Sequence, residues 1–404
     1  MRHSSAAALV SLASVAALVA GPAAALDAGY DAFVDVRLVA PPTEPSWEDG
    51  GLGKLRYGAG DSSAQFSEAV VAGHVLFTPE LLAVGVVRAD TGQQSFVLPL
   101  EGFLRYRPVS TNAWRWSVKG GAFFPPFSLE NTETGWSSYW TLTPSAINSW
   151  FGDELRTIGG EGKIEWRTAP GTLSFIASVF GWNDPAGVMI ADRGWAMGDR
   201  PTALFEDLRE PDATVAIFGG TPPESTPIFR EIDNRAGWYG GASWNGEDNW
   251  RVELFRYDNE ADPSAHDGEY FAWKTTFWDA NLSKQWGEFT LLAQGLSGYT
   301  IIAPAPGFSD TTNFSSAYAL LGWERNDWRL AVRGDLFRTH NAGFGLMSEN
   351  GYALTASASW FPREWLRLTP EVVYMDSKRD ERAVEGLDPE QSQTLGQFSV
   401  RVYL

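Results

Sequence analysis

Apolar and polar residues alternate with a period of two along most of the chain. Between Thr157 and Arg167 one face carries Ile158, Gly160, Gly162, Ile164 and Trp166; the other carries Thr157, Gly159, Glu161, Lys163, Glu165 and Arg167. Side chains alternate across a strand, so this segment predicts a strand with one apolar and one charged face. The same split places Leu98, Leu100, Leu104 and Tyr106 against Glu101, Arg105 and Arg107, and Trp328, Leu330, Val332 and Leu336 against Arg329, Arg333 and Asp335. Comparable segments lie at 30–40, 66–77, 81–90, 115–123, 172–182, 238–244, 250–258, 271–284, 288–298, 314–323, 352–360, 365–376 and 395–404. Most run 9–11 residues, enough to cross a bilayer when tilted.

The connections fall into two alternating classes. Short polar, Gly or Pro turns sit at 78–80, 110–112, 168–171, 245–249, 285–287, 324–327 and 361–364. Longer ones lie near 41–65, 91–96, 124–156, 183–236, 259–270, 299–313, 338–350 and 377–394. Short turns on one side and long loops on the other predict an all-β fold: a 16-stranded antiparallel transmembrane β-barrel with both termini on the short-turn side. Residues 51–58 are open to a second reading, as an extra strand inside the first loop. Trp114, Trp166, Trp244, Trp250, Trp286, Trp323, Trp328, Trp360 and Trp365 all flank short turns. An indole favours the boundary between hydrocarbon and headgroups, so these nine predict one aromatic girdle. A soluble sandwich or propeller also alternates, but predicts neither the loop asymmetry nor Trp on one side.

The N-terminus reads as an address. Arg2 and His3 precede an apolar run from Ala6 to Ala20, a Gly21-Pro22 break and Ala23-Ala24-Ala25. That is a secretory signal cut after Ala25, leaving 26–404 as the barrel domain, exported to the outer membrane of a Gram-negative cell. The chain ends in Phe398, Val400, Val402 and Leu404 on one face, similar to the C-terminal strand presented to the barrel-assembly machinery.

Composition narrows the function classes. A formal charge of −19 opposes nucleic-acid binding, which needs a basic surface. The chain has no Cys and four His, which removes thiolate chemistry and leaves little for imidazole chemistry. His74 shares a polar face with Glu68, but no G-x-S-x-G elbow occurs, and His266 and His340 lack metal spacing. No enzyme, cofactor or metal site is expected.

The stretch Gly121-Ala122-Phe123-Phe124-Pro125-Pro126-Phe127-Ser128-Leu129-Glu130 resembles a segment of the phosphate-selective porin O/P family. There, a strand ends in a Gly-Gln-Phe-Lys-x-Pro-Phe pattern and enters a long third loop. The resemblance implies a trimeric, water-filled porin whose third loop folds toward the lumen. Here Ala122 replaces the Gln and Phe124 the Lys, so phosphate selectivity is not carried over.

The third loop supplies the candidate constriction: Phe124, Glu130, Glu133, Asp153, Glu154 and Arg156. Four acids against one base predict weak selectivity tilted toward cations. Candidate lumen-lining residues are Glu68, Arg88, Glu101, Arg105, Arg107, Arg115, Lys119, Glu161, Lys163, Glu165, Arg251, Glu253, Arg329, Arg333, Asp335, Arg367 and Glu371. They either set a transverse field across water or form salt-bridged wall. The excess acids sit in loops, above all 183–236, and read as solvated surface charge, with divalent-cation binding as the sharper alternative. The expected partners are outer-membrane lipids and lipopolysaccharide, small hydrophilic solutes or ions, and two further copies in a homotrimer. The function expected is passive diffusion. The competing class is a non-conducting structural or adhesive barrel acting through its acidic loops.

Overall fold

In a computed structural model of the chain, which describes residues 27–60, 62–92, 94–220 and 222–404, sixteen strands close into one antiparallel barrel. The signal reading lies outside the described residues. The strands are β1 (Asp27–Ala40), β2 (Ser63–Leu76), β3 (Leu81–Ala89), β4 (Val97–Tyr106), β5 (Trp114–Phe123), β6 (Thr157–Thr168), β7 (Gly171–Gly181) and β8 (Gly237–Gly246). Then follow β9 (Trp250–Asp258), β10 (Lys274–Trp286), β11 (Phe289–Ala305), β12 (Phe308–Arg325), β13 (Trp328–Asn341), β14 (Glu349–Arg363), β15 (Leu366–Arg379) and β16 (Glu390–Tyr403). Each pairs with its sequence neighbours, and β1 closes on β16 from Phe33 opposite Tyr403 to Ala40 opposite Gly396. Closure leaves no free edge, as a strand in hydrocarbon requires.

The faces are inverted relative to a water-soluble core. Trp114, Trp116 and Val118 of β5 are exposed, whereas Arg115, Ser117 and Lys119 between them turn inward. On β13, Trp328, Leu330, Val332 and Leu336 face out, while Arg329, Arg333 and Asp335 are buried. An exposed apolar belt around a charged interior is stable only against lipid. Among the described residues no helix is long and apolar enough to cross a membrane. At the short-turn end, Trp114 stacks on Trp166 (5.5 Å) and Trp328 on Trp360 (5.8 Å). Trp182, Trp238 and Trp278 are exposed toward the other end, so aromatics flank the belt on both sides.

The structure corrects two local expectations and decides one open reading. The sixth long connection, 299–313, is strand: β11 and β12 continue past the belt and turn at Pro306-Gly307, where Gly307 takes φ +80. Pro before a positive-φ Gly is the type II combination that a tight turn needs. Residues 51–58 form no extra barrel strand; they lie inside, with Leu52, Lys54 and Leu55 buried and only isolated bridges at Gly53 and Leu55. Leu100 does not share the lipid face of β4, because the register shifts between Val86 and Val87, and Leu100 turns fully inward. Pro99 supplies no N–H at this bulge, and its carbonyl accepts from Leu204 N at 2.8 Å.

The long third connection folds into the barrel. It contains helix α1 (Ala146–Glu154), capped by Ser145, whose hydroxyl accepts from Asn148 N, and all nine helical residues are buried. Phe127 packs on the inward rings of Tyr239, Phe255 and Phe277 from β8, β9 and β10. Gly121, at φ +140, lets β5 pass close to Gly102 O of β4 just before the chain leaves the wall.

Candidate functional site: the barrel interior

The interior divides into a packed half and a hydrated half. The packed half is built by three connections, the first (41–62), third (124–156) and fourth (182–236), tied to the wall by buried ion pairs. From the third, Glu130 accepts from Arg333 of β13 at 2.6 Å, and Arg333 also holds Asp335 at 2.8 Å. Arg333 further donates to the carbonyls of Thr143 (2.8 Å) and Pro144 (3.0 Å). Two more wall acids grip the same loop: Glu371 accepts from the backbone of Leu142 and Thr143, and Asp335 from Ala146 N at 3.3 Å.

The fate of the six constriction candidates follows from these contacts. Glu130, Asp153, Glu154 and Arg156 are fully or almost fully buried. Asp153 pairs with Arg193 at 2.7 Å, and Glu154 accepts from Trp150 Nε1 (2.7 Å) and the backbone of Gly187 and Ile190. Arg156 donates to Thr202 O at 2.6 Å and lies 3.4 Å over the Phe124 ring, which stacks on Trp136. Only Glu133 keeps partial exposure, between Arg329 and Arg367 at 3.5 Å each. The carboxylates therefore anchor the loop, and most of their charge is matched locally.

The first and fourth connections form a second knot that the strand pattern did not reveal. Arg56 reaches Glu48 (3.3 Å), Asp90 (2.9 Å) and Asp199 (2.9 Å), and it also donates to Ser67, the extra residue of a bulge in β2. Asp199 is held as well by Arg37 of β1, and Arg200 by Glu206. Lys54 pairs with Glu349 of β14 at 2.8 Å, and Arg382 with Glu44 at 2.7 Å. Asp199, gripped by Arg37 and Arg56, is held well below the usual carboxylate range. The solvated reading of the 183–236 acids is thus corrected for Asp184, Asp192, Glu206 and Glu210, which are buried. Asp212 and Glu224 do face solvent. Asp35 and Arg37 had a visible signal, an i, i+2 charged pair on the inward face of β1. Arg56, Asp199 and Arg200 had none, because a loop sequence does not say which side of the barrel mouth it occupies.

The hydrated half lies toward the short turns, along β4, β5 and β6. Arg105, Arg107, Arg115, Lys119, Glu161, Lys163 and Glu165 line a recess of about 200 Å³ there. Lys119 pairs with Glu161 at 3.2 Å and Lys163 with Glu165 at 2.7 Å, with Arg115 3.8 Å from Glu165. Five cations face two carboxylates in this recess, so it is net positive. The remaining lumen candidates all face inward. Glu68 and Asp35 flank Arg401, Glu101 accepts from Phe124 N, Arg251 pairs with Glu253, and Arg88 lies 3.8 Å from Glu206.

Neither a scan of known protein-family models nor a search of curated proteins finds a match for this chain. Solved structures do share the fold. The outer membrane channel DcaP of Acinetobacter baumannii superposes with a TM-score of 0.58 at 9% identity, covering 94% of this chain and 97% of that one. In-vitro folded, trimeric OmpT, an outer membrane protein of Vibrio cholerae, gives 0.53 at 11%, covering 94% and 100%. An anion-selective porin from Comamonas acidovorans gives 0.52 at 11%, also covering 94% and 100%. At such identities the likeness concerns the barrel architecture.

Proposed function

We propose that the chain is a porin-like channel of a Gram-negative outer membrane, without catalytic activity, passing small hydrophilic solutes or ions by diffusion. One observation carries this reading: a closed barrel with an apolar exterior and an ionised inner wall, part of which borders a water-accessible recess. Signal-directed export, assembly with lipopolysaccharide and association as a homotrimer are the companions of that reading. The motif around Phe123-Phe124-Pro125 supports kinship with phosphate-selective porins at the level of the third loop. With Phe124 stacked between Trp136 and Arg156, that position offers an anion no ammonium group.

Three connections fold inward and fill much of the interior, so unit conductance should be small. Planar-bilayer recording of the purified, detergent-folded protein tests the reading. Discrete open steps that scale with electrolyte concentration support it. A correctly folded barrel that never conducts would instead favour the non-conducting structural or adhesive class.

A further inference from the structure

The long-loop end holds a separate cavity of about 250 Å³ that the diffusion reading does not use. Tyr270, Phe271 and Trp273 line it from the fifth connection, Phe308 from the turn of β11 and β12, and Phe344 from the seventh connection. The Phe308 and Phe344 rings lie 6.2 Å apart at its rim. Four carboxyl groups line it with these aromatics: Asp192, Glu210 and Asp310, each more than nine-tenths buried, and the exposed Glu269. Such an arrangement is balanced either by protons on the carboxyls or by a bound cation.

The carboxyls are incompletely matched by the protein. Glu210 Oε1 accepts from Thr226 Oγ1 at 2.6 Å, but its buried Oε2 has no fixed N–H or O–H donor and meets only the Asp192 carboxyl, which bonds to it by sharing a proton. The group facing Glu210 is the carboxyl of Asp192. Arg379, the base beside Asp192, spends itself on Glu349, Glu381 and the backbone carbonyl of Asp192. Asp310 accepts from Asn341 Nδ2 at 2.8 Å and Gly343 N at 3.3 Å, both neutral donors.

We propose that this cavity binds a small organic cation, a primary or quaternary ammonium group carried on an aromatic or apolar body. The ammonium satisfies Glu210 and Asp192, and the ring faces of Trp273, Phe308 and Phe344 attract both the charge and the body. A bare metal ion fits less well. Among the described residues the carboxylates close enough to share one ion are Asp184, Glu231 and Asp233, not this trio. The volume falls just below that of pockets for drug-sized ligands, which limits the guest to a small one. Burial, reinforced by Glu154, lifts Glu210 to about 7 although its hydrogen bonds with Thr226 and Asp192 pull the other way, and burial beside Glu210 and Glu381 pushes Asp192 up. Glu154 and Arg193 also face Glu210, and Glu381, Arg379 and Asp310 face Asp192. The cation therefore replaces a proton, and affinity should rise between pH 6 and pH 8.

Isothermal titration of the full, detergent-folded chain with benzyltrimethylammonium chloride tests this. Saturable binding is expected, with none for benzyl alcohol or calcium chloride. Glu210→Gln should weaken it roughly tenfold, the scale of a lost charge-assisted contact. Phe344→Leu, at the rim, keeps the apolar body but loses the π face, and should weaken it several-fold. A heat-dependent gel shift confirms that each variant is a closed barrel. No binding, equal binding of benzyl alcohol, competition by calcium alone, or unchanged affinity in both variants would overturn the proposal.

Discussion

Arg333 illustrates what single residues do inside this barrel. Its side chain is fully buried between Glu130 and Asp335 and caps two loop carbonyls. Removing it strands two carboxylates in a packed interior, a loss of about 3–5 kcal/mol for breaking a buried pair. That loss falls on the docking of the third connection, because the wall hydrogen bonds of β13 do not depend on it. We expect Arg333→Ala to leave the heat-resistant barrel intact, open residues 124–156 to protease and raise unit conductance; continued protection with unchanged conductance would refute the anchoring role. Asp184 gives a pH-dependent counterpart. Burial, reinforced by Asp233 and Glu231, raises its carboxyl to about 7, although the N–H groups of Ile232 and Asp233 that it accepts from pull the other way. Its folded value lies above its unfolded one, so the native loop holds a proton that the detached loop has lost, and stability falls as pH rises from about 4 to 7. Protease cleavage near 230–236 should thus be faster at pH 8 than at pH 5, and Asp184→Asn should flatten that difference.

Strands were legible in the sequence because lipid on one face and water or charge on the other impose a strict period of two. Thr157–Arg167 and Trp328–Leu336 could be assigned face by face, and the structure keeps every one of their named apolar residues outward or at the wall. The exceptions are sites where another element intervenes. Leu100 flips at a bulge whose free carbonyl docks Leu204, and Ser67 bulges where Arg56 arrives. The 299–313 hairpin looked like loop because its strands leave the lipid belt, where the pressure for alternation ends. Loop placement was legible only for the third connection, through its aromatics and the Phe-Pro-Pro-Phe motif. Nothing local distinguishes an inward Arg56 or Asp199 from a solvated one, since their partners lie just past β3, on β1 and in a distant loop. Helix α1 offers an element-scale check. Ser145 caps it, and a lost N-cap costs about 1 kcal/mol, so Ser145→Ala should speed amide exchange at 146–149 while leaving exchange in β5 and β6 unchanged. Equal acceleration in the strands would mean that α1 and the wall unfold as one unit.

Charge is sorted by depth across the whole molecule, and that sorting bears on selectivity. Of the third-loop acids that suggested a cation preference, Glu130, Glu133 and Asp153 are matched by Arg193, Arg329, Arg333 and Arg367, and Glu154 is buried among neutral donors. They contribute little field to any ion passing beside them. The surplus cations are instead in the recess by the short turns, where Arg105 has an unsatisfied buried Nε and Arg107 stands beside it. At the opposite mouth, exposed acids such as Asp212, Glu224 and Glu269 sit on the long connections and draw cations. On the proposed diffusion reading, a positive inner recess and an acidic outer mouth give different ion populations at the two ends, so the current should depend on the sign of the voltage. Because these groups face water, the asymmetry should fade as the Debye length shrinks from about 10 Å at 0.1 M to about 3 Å at 1 M salt. We expect rectification and a weak preference for anions at 0.1 M, both nearly lost at 1 M. Arg105→Gln with Arg107→Gln should remove the anion preference while leaving the rectification that stems from the outer acids. Symmetric currents at low salt, or a cation preference untouched by the double substitution, would place the controlling field elsewhere than in this recess.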